Sequence, residues 1–394
     1  MKRWRAVILN TLLMTFGLGT LTMMNVAKLD IITHFSITSE AYDAQHIAYV
    51  LGLFFAFLLG HTRLYQGSFK RSVAIALSFA AIPQIMIPYV NSWEIVLILR
   101  FIQGFVISLV PLFSTQIGNI FVAERPLAKG IILSGIFWGG LLGTFYGEIL
   151  VKAFGWKLAF PITALMMYAA LALWWVLTED FIIMREEGHK ATEAFKMPFT
   201  WILGFTFFPA LWVIFTIVGF ATSTGYRIGW STDMVANISY TLNTSKALWS
   251  IIMGYVGFVL SRKNPSPRGL FRAIVLVMIA SYAIGLIGLL IFSAGVLQES
   301  YIIVLLSMAL VGAIQGTGPA FWTSAPAAYP KEIFPQAAFA LGLISNSANA
   351  VAPTVIKLLE SYSITAALAG LSIMPLVGIA SLLICMRLKL PIEK

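Results

Sequence analysis

Between Ile95 and Val110 every residue is apolar, Gly or Ser except Arg100 and Gln103. A charge in hydrocarbon costs at least ~2.5–3.5 kcal/mol on insertion scales, so it persists where it meets a partner or a wet cavity. At that depth a guanidinium binds an anionic or polar solute, or pairs with a carboxylate on a packed helix, Glu148 being the candidate. A second intramembrane cation, Lys246, shares a helical face with Ser239, Asn243 and Ser250, and Gly254 and Gly257 extend that face. An ionisable group so placed belongs to a substrate or ion pathway, or it snorkels or pairs structurally. Gly342, Asn346, Asn349, Pro353, Lys357 and Glu360 also recur at helical steps, and the amides bond either a solute or neighbouring helices. Glu148 and Asp30 are carboxylates able to take up and release a proton. Asn25, Gln103 and Gln315 add amides, while Trp138 and Trp322 add rings that stack on a solute or simply pack.

The elements that must hold these side chains are membrane helices. The 394 residues are 59% hydrophobic and 11% charged, with mean hydropathy +0.88, too apolar for a soluble globular protein. They accommodate about twelve spans of ~20 residues, the length that crosses ~30 Å of hydrocarbon. The expected fold is an all-α membrane protein with twelve transmembrane helices in two pseudo-symmetric six-helix bundles. Met1-Lys2-Arg3-Trp4-Arg5 opens like a signal peptide, but the apolar run is too long and no Ala-x-Ala site closes it. It is expected to be an uncleaved first helix.

Most of the 26 lysines and arginines, among them Lys2, Arg63, Lys70, Arg125, Lys129, Arg262, Lys331 and Arg387, fall in alternate connections. By the positive-inside rule those connections and both termini are cytoplasmic. The net charge of +10 is then topological and calls for no nucleic acid. A charged interval divides the chain into residues 1–178, an N-terminal six-helix bundle, 179–197, a cytoplasmic linker, and 198–394, a C-terminal six-helix bundle. Ile102-Gln103-Gly104 recurs as Ile314-Gln315-Gly316, and Ala128-x-Gly130 as Ala340-x-Gly342, at one common offset. That is the mark of a duplicated half.

Arg100-x-x-x-Gly104, in the fourth apolar span, resembles motif B of the major facilitator superfamily of transporters. The stretch Gly60 to Gly67 resembles that family's motif A, Gly-x-x-x-Asp-Arg-x-Gly, and Lys70-Arg71 follow it. Leu64 stands at the acidic position, which removes the carboxylate of the family's gate-locking charge relay. Gly155-Trp156-Lys157-x-x-Phe160 is similar to a common family turn, and Tyr329-Pro330-Lys331-Glu332-Ile333-Phe334-Pro335 resembles an element of sugar and organic-acid porters. The linker residues Thr178-Glu179-Asp180 and Gly188-His189-Lys190 echo the same branches. Gly135, Gly139, Gly143 and Gly147 stand at strict i+4 spacing, a flat ridge for close helix approach. The spelling Gly135-x-x-x-Gly139-Gly140-x-x-Gly143 also approaches the antiporter motif C, with Gly140 in place of proline. The resemblance implies parallel six-helix repeats that rock around a central solute site.

The expected protein is a secondary active transporter working by alternating access, a proton-coupled symporter of a small polar or anionic metabolite such as an organic acid or sugar. The alternatives are a proton antiporter exporting hydrophobic compounds and a non-transporting membrane receptor of the same fold. The expected partners are the solute, protons and the lipid bilayer of a cell membrane, with the chain a monomer. No cofactor or metal is expected, since His34, His46, His61 and His189 lie at separate places without ligand spacing. No nucleotide-binding Gly-x-x-x-x-Gly-Lys-Ser/Thr, Gly-x-Ser-x-Gly or His-Glu-x-x-His stretch is present, so no enzyme is expected. Cys385 is the single cysteine, which excludes an intrachain disulfide.

Overall fold

The computed structural model describes residues 2–19, 22–60, 62–65, 67–183 and 193–393. His61 and the linker residues Gly188, His189 and Lys190 lie outside them. Among the described residues the main helices are α1 (Lys2–Gly19), α2 (Ser39–Leu59), α3 (Phe69–Met86), α4 (Trp93–Ile120), α5 (Arg125–Phe154) and α6 (Trp156–Leu177), followed by α7 (Pro198–Ile228), α8 (Thr232–Lys263), α9 (Pro267–Leu297), α10 (Tyr301–Phe321), α11 (Phe334–Tyr362) and α12 (Ile364–Cys385). Among the described residues eleven spans are long and apolar enough to cross a membrane. Helix α8, 32 residues long, is the polar twelfth. The protein is an all-α membrane protein. Hydroxyl side chains cap α2, α3, α4, α8, α9 and α12 at Thr38, Ser68, Ser92, Ser231, Ser266 and Ser363, each accepting an otherwise orphaned backbone N–H.

By contact the chain forms two compact units, Met1–Phe113 with Gly135–Ala191, and Ser114–Ser134 with Thr192–Lys394. In the first unit the glycine ridge of α5 lies on α1. A Cβ on Gly135 would meet the Thr11 carbonyl, one on Gly139 the carbonyl of Thr15, one on Gly143 that of Gly19, and one on Gly147 the Met23 sulfur. The i+4 spacing is thus spent on backbone-to-backbone approach. Helices α2 and α4 meet the same way, Gly52 against the Phe101 carbonyl and Gly104 against Tyr49 and Leu53. One end of the unit closes over an apolar cluster of Met23, Met24, Ile31, Tyr42, Ile87, Trp93, Val96, Trp156 and Phe160, in which the Tyr42 hydroxyl donates to the Met24 carbonyl.

The turn between α2 and α3 is tied by a carboxylate from beyond α6. Gly67 has φ +88°, a left-handed conformation that favours glycine, and begins a two-residue strand, Gly67–Ser68, paired antiparallel with Ile182–Ile183. Asp180 accepts hydrogen bonds from the Ser68 hydroxyl at 2.6 Å, the Lys70 amide at 3.0 Å and the Phe181 amide at 2.9 Å. Partial burial pushes its carboxyl up, but those three hydrogen bonds and the Lys70 charge together hold it below the usual range. With a depressed folded value, this tie is complete at neutral pH and fails only as the pH falls through that value in acid. Asp180→Ala is expected to speed deuterium exchange of the Lys70 and Phe181 amides at pH 7, and acidification should do the same to wild type. Unchanged exchange in the variant would show that the carboxylate holds nothing.

In the second unit α7 breaks at Thr206 and Phe207, ahead of Pro209, which has no N–H to donate. The Tyr282 hydroxyl of α9 repairs the gap, donating to the Thr206 carbonyl at 2.6 Å and accepting from the Ala210 amide at 3.1 Å. The turn between α4 and α5 belongs to this unit. Ser250 on α8 donates to the Gly130 carbonyl, and a Cβ on Gly254 would meet the Pro126 carbonyl. Arg125 donates to the carbonyls of Phe121, Gly118 and Pro326. Lys129, expected as a loop cation on charge pattern, is 0% exposed inside α5, because this turn is packed against α8. Each of α4 and α10 has a 3-10 turn near its repeated Ile-Gln-Gly, following it at Phe105–Ser108 in one and containing it at Gly312–Gly316 in the other.

Candidate functional site

Arg100 is the centre of the first unit's polar interior. It is 3% exposed, held there because Gly52 and Gly104 bring α2 against α4. Its Nε donates to Gln45 at 2.8 Å and its Nη1 to Gln103 at 2.6 Å, with the guanidinium 4.8 Å from the Tyr49 ring centroid. Gln103 passes the chain on, donating to Gln84 at 2.9 Å and to the Ala80 carbonyl, and Gln84 donates to Thr163 at 3.2 Å. The network therefore joins α2, α3, α4 and α6. Among the described residues no carboxylate pairs with Arg100, and its Nη2 makes no hydrogen bond. Neutral partners stabilise a guanidinium at ~1.5–3 kcal/mol per bond without cancelling its charge. The guanidinium thus has no counter-charge among the described residues.

The other candidates of this unit stand apart from that network. Glu148, Asn25 and Asp30 are exposed, and Trp138 is half-buried beside the ridge residue Gly139. Glu148 follows Gly147, which packs on Met23, so Glu148 and Asn25 lie near one contact between α5 and the short helix Met23–Val26 beyond α1. The neighbouring Lys28 pairs with Asp43 at 3.5 Å and lies over the Tyr42 ring.

In the second unit Lys246 is 4% exposed and donates to the Ile214 carbonyl of α7 at 3.2 Å. Its neighbours Ser245 and Trp249 both donate to the Ala309 carbonyl at 2.7 Å, fixing α8 on α10. Gly312, at the repeat position of Arg100, leaves room for that approach, since a Cβ there would strike Ser245. Asn243 is half-buried one turn before Lys246. On α11, Asn346 donates to the Gly342 carbonyl at 2.8 Å, and Asn349 donates to Asn346 at 2.9 Å. The Asn349 Oδ1 and, on α7, the Trp212 Nε1 are buried without a hydrogen-bond partner. Such atoms cost ~1–3 kcal/mol each and mark where a ligand or water bonds. The buried Gln315 side chain has no hydrogen bond among the described residues, and Trp322 packs edge-on against Phe321 and Phe207. The outer part of the α11 stripe does something else. Lys357 is exposed and Glu360 pairs with Arg227 of α7.

Gln45, Tyr49, Gln84, Thr163 and Trp212 were not singled out in the sequence. Gln84 had a signal, as a lone amide in an apolar helix; Gln45, beside Asp43 and His46 in the polar start of α2, Thr163 and the two aromatics had none.

The family model described as Major Facilitator Superfamily matches residues 7–353. Many solved structures are similar to the chain, two of them of one symporter. One is the proton:xylose symporter XylE bound to 6-bromo-6-deoxy-D-glucose, at 15% identity and TM-score 0.74, covering 96% of this chain and 94% of that one. The other is a double-tryptophan XylE mutant, at 13% identity and TM-score 0.73, covering 98% and 95%. At such identities the likeness establishes the fold. No curated protein shows a significant sequence match.

Proposed function

Since the chain belongs to the major facilitator superfamily and is a multi-pass membrane transporter, we propose that it carries a small anionic or polar solute, an organic acid or a sugar, by proton-coupled alternating access. The observation that carries this reading is Arg100, buried among neutral partners with an uncommitted Nη2. A buried cation lacking a counter-charge favours an anionic or strongly polar ligand that supplies one. Lys246 is the matching cation of the second unit. The Asn349 Oδ1 accepts from a solute hydroxyl, and the Trp212 Nε1 donates to a solute oxygen. Gln103 orients Arg100, and Asn346 orients Asn349. Glu148 and Asp30, both open to the surface of their unit, take up and release the coupling proton. The structural likeness to XylE, itself a proton:xylose symporter, supports polar solutes over hydrophobic ones. The packing of the α5 glycines on α1 accounts for the motif C spelling without antiport. Residues 1–178 and 198–394 act as the two moving halves of a monomer in the cell membrane, with both termini cytoplasmic.

Uptake of labelled carboxylates and sugars into proteoliposomes tests this directly. Accumulation should rise when the outside is made acid, and uptake indifferent to that gradient would remove proton coupling. Asn349→Leu should raise KM about tenfold or more with Vmax kept, as expected for losing one buried hydrogen bond to solute. An unaltered KM would take Asn349 out of the site.

A further inference from the structure

Between α7, α11 and α12 the second unit carries an open groove of about 750 Å³, walled by Trp201, Phe205, Phe208, Ile344, Ala380 and Ile384. That volume lies within the ~300–1,000 Å³ usual for small-molecule sites. Its two hydroxyls are spent inside their own helices. Ser347 donates to the Ile344 carbonyl at 2.7 Å and Ser381 to the Gly378 carbonyl at 2.8 Å. The walls therefore offer a solute no polar bond, and an apolar chain is what they fit.

One end of the groove has a different character. The Trp201 indole donates at 2.7 Å to the carbonyl of Phe195, the residue before Lys196. The Ile384 carbonyl accepts the Arg387 amide at 3.0 Å. Lys196 thus precedes the α7 wall and Arg387 follows the α12 wall, one at each of the helix ends that meet this part of the groove. Both are exposed, and neither side chain has a hydrogen bond or ion pair among the described residues. Of the carboxylates on these stretches, Glu393 is occupied by Arg268 and the Leu390 amide, and Glu193 lies one turn before Lys196 on the same short segment. An apolar shaft with two uncommitted cations and a tryptophan at one mouth has the polarity profile of a phospholipid.

We propose that this groove holds an acyl chain of an anionic phospholipid whose phosphate is paired by Lys196 and Arg387. The site is separate from the groups assigned to solute transport, so it stands or falls independently of that assignment.

The test is lipid retention by the full-length protein in detergent, read by native mass spectrometry after exchange into equal phosphatidylglycerol and phosphatidylcholine. Wild type should retain phosphatidylglycerol with about tenfold preference or more, given two cations at the headgroup level. The double variant Lys196→Gln, Arg387→Gln should lose the preference while still retaining lipid. Ala380→Trp, which fills the shaft, should lose the lipid itself; Ser381→Leu does the same with less bulk if the tryptophan variant fails to fold. Equal retention of both lipids by wild type, an unchanged preference in the double variant, or displacement by soluble glycerol phosphate would each overturn the proposal.

Discussion

Arg100→Ala should lower solute uptake at least ~100-fold in proteoliposomes and reduce thermal stability as well. The substitution strands the Gln45 and Gln103 oxygens in a buried site, at ~1–3 kcal/mol each. It also withdraws the charge that an anionic solute meets. These two losses are separable. Arg100→Gln keeps a hydrogen-bonding group and should restore much of the stability, yet leave uptake at background. Arg100→Lys keeps the charge, but an ammonium cannot present the rigid fork that reaches both amides and the Tyr49 face. Its expected result is partial uptake with raised KM. Wild-type uptake by the glutamine variant would reduce Arg100 to a strut between helices.

Gly139→Leu should abolish recovery of folded protein. The site has no flexible neighbour to give way, because the added Cβ would meet the Thr15 carbonyl and come within 3.0 Å of the Gly19 Cα. Forcing bulk into a packed interface costs ~1–3 kcal/mol where side chains can shift, and more where backbone must move. Gly140→Leu, one residue along, is the control. There the nearest atom to an added Cβ is the Thr22 methyl at 3.9 Å, so near-normal yield by size-exclusion chromatography is expected. Similar yields for the two variants would refute the ridge as the α1–α5 contact.

The glycine ridge was legible because a repeat of four returns to one face of a helix whatever that face meets. Which helix it meets was not legible, since nothing local in Gly135 to Gly147 refers to α1. Arg100 was visible for the same local reason, as a charge costly to leave in hydrocarbon. Its partners lie on α2 and α4 and, through Gln103, on α3 and α6, and only tertiary packing joins those. Charge counting said nothing of the burial of Lys129, because it weighs a residue's place along the chain and not the helix it packs against. Motif A gave the subtlest case. Nothing local to that turn announces the carboxylate that ties it, Asp180, 112 residues beyond Ser68 in the chain.

Helix α8 has a consequence for how the chain is made. With Lys246 near its middle and Asn243, Thr244 and Ser245 beside it, α8 falls outside the spans apolar enough to cross by themselves. A lysine at a helix centre alone opposes translocon release by ~2.5–3.5 kcal/mol. The carbonyl that receives its ammonium belongs to Ile214 on α7, synthesised just before, whereas Ser245 and Trp249 wait for Ala309 on α10. On this geometry α8 is expected to enter lipid together with its predecessor, as half of a hairpin, and to be completed only when α10 emerges from the ribosome.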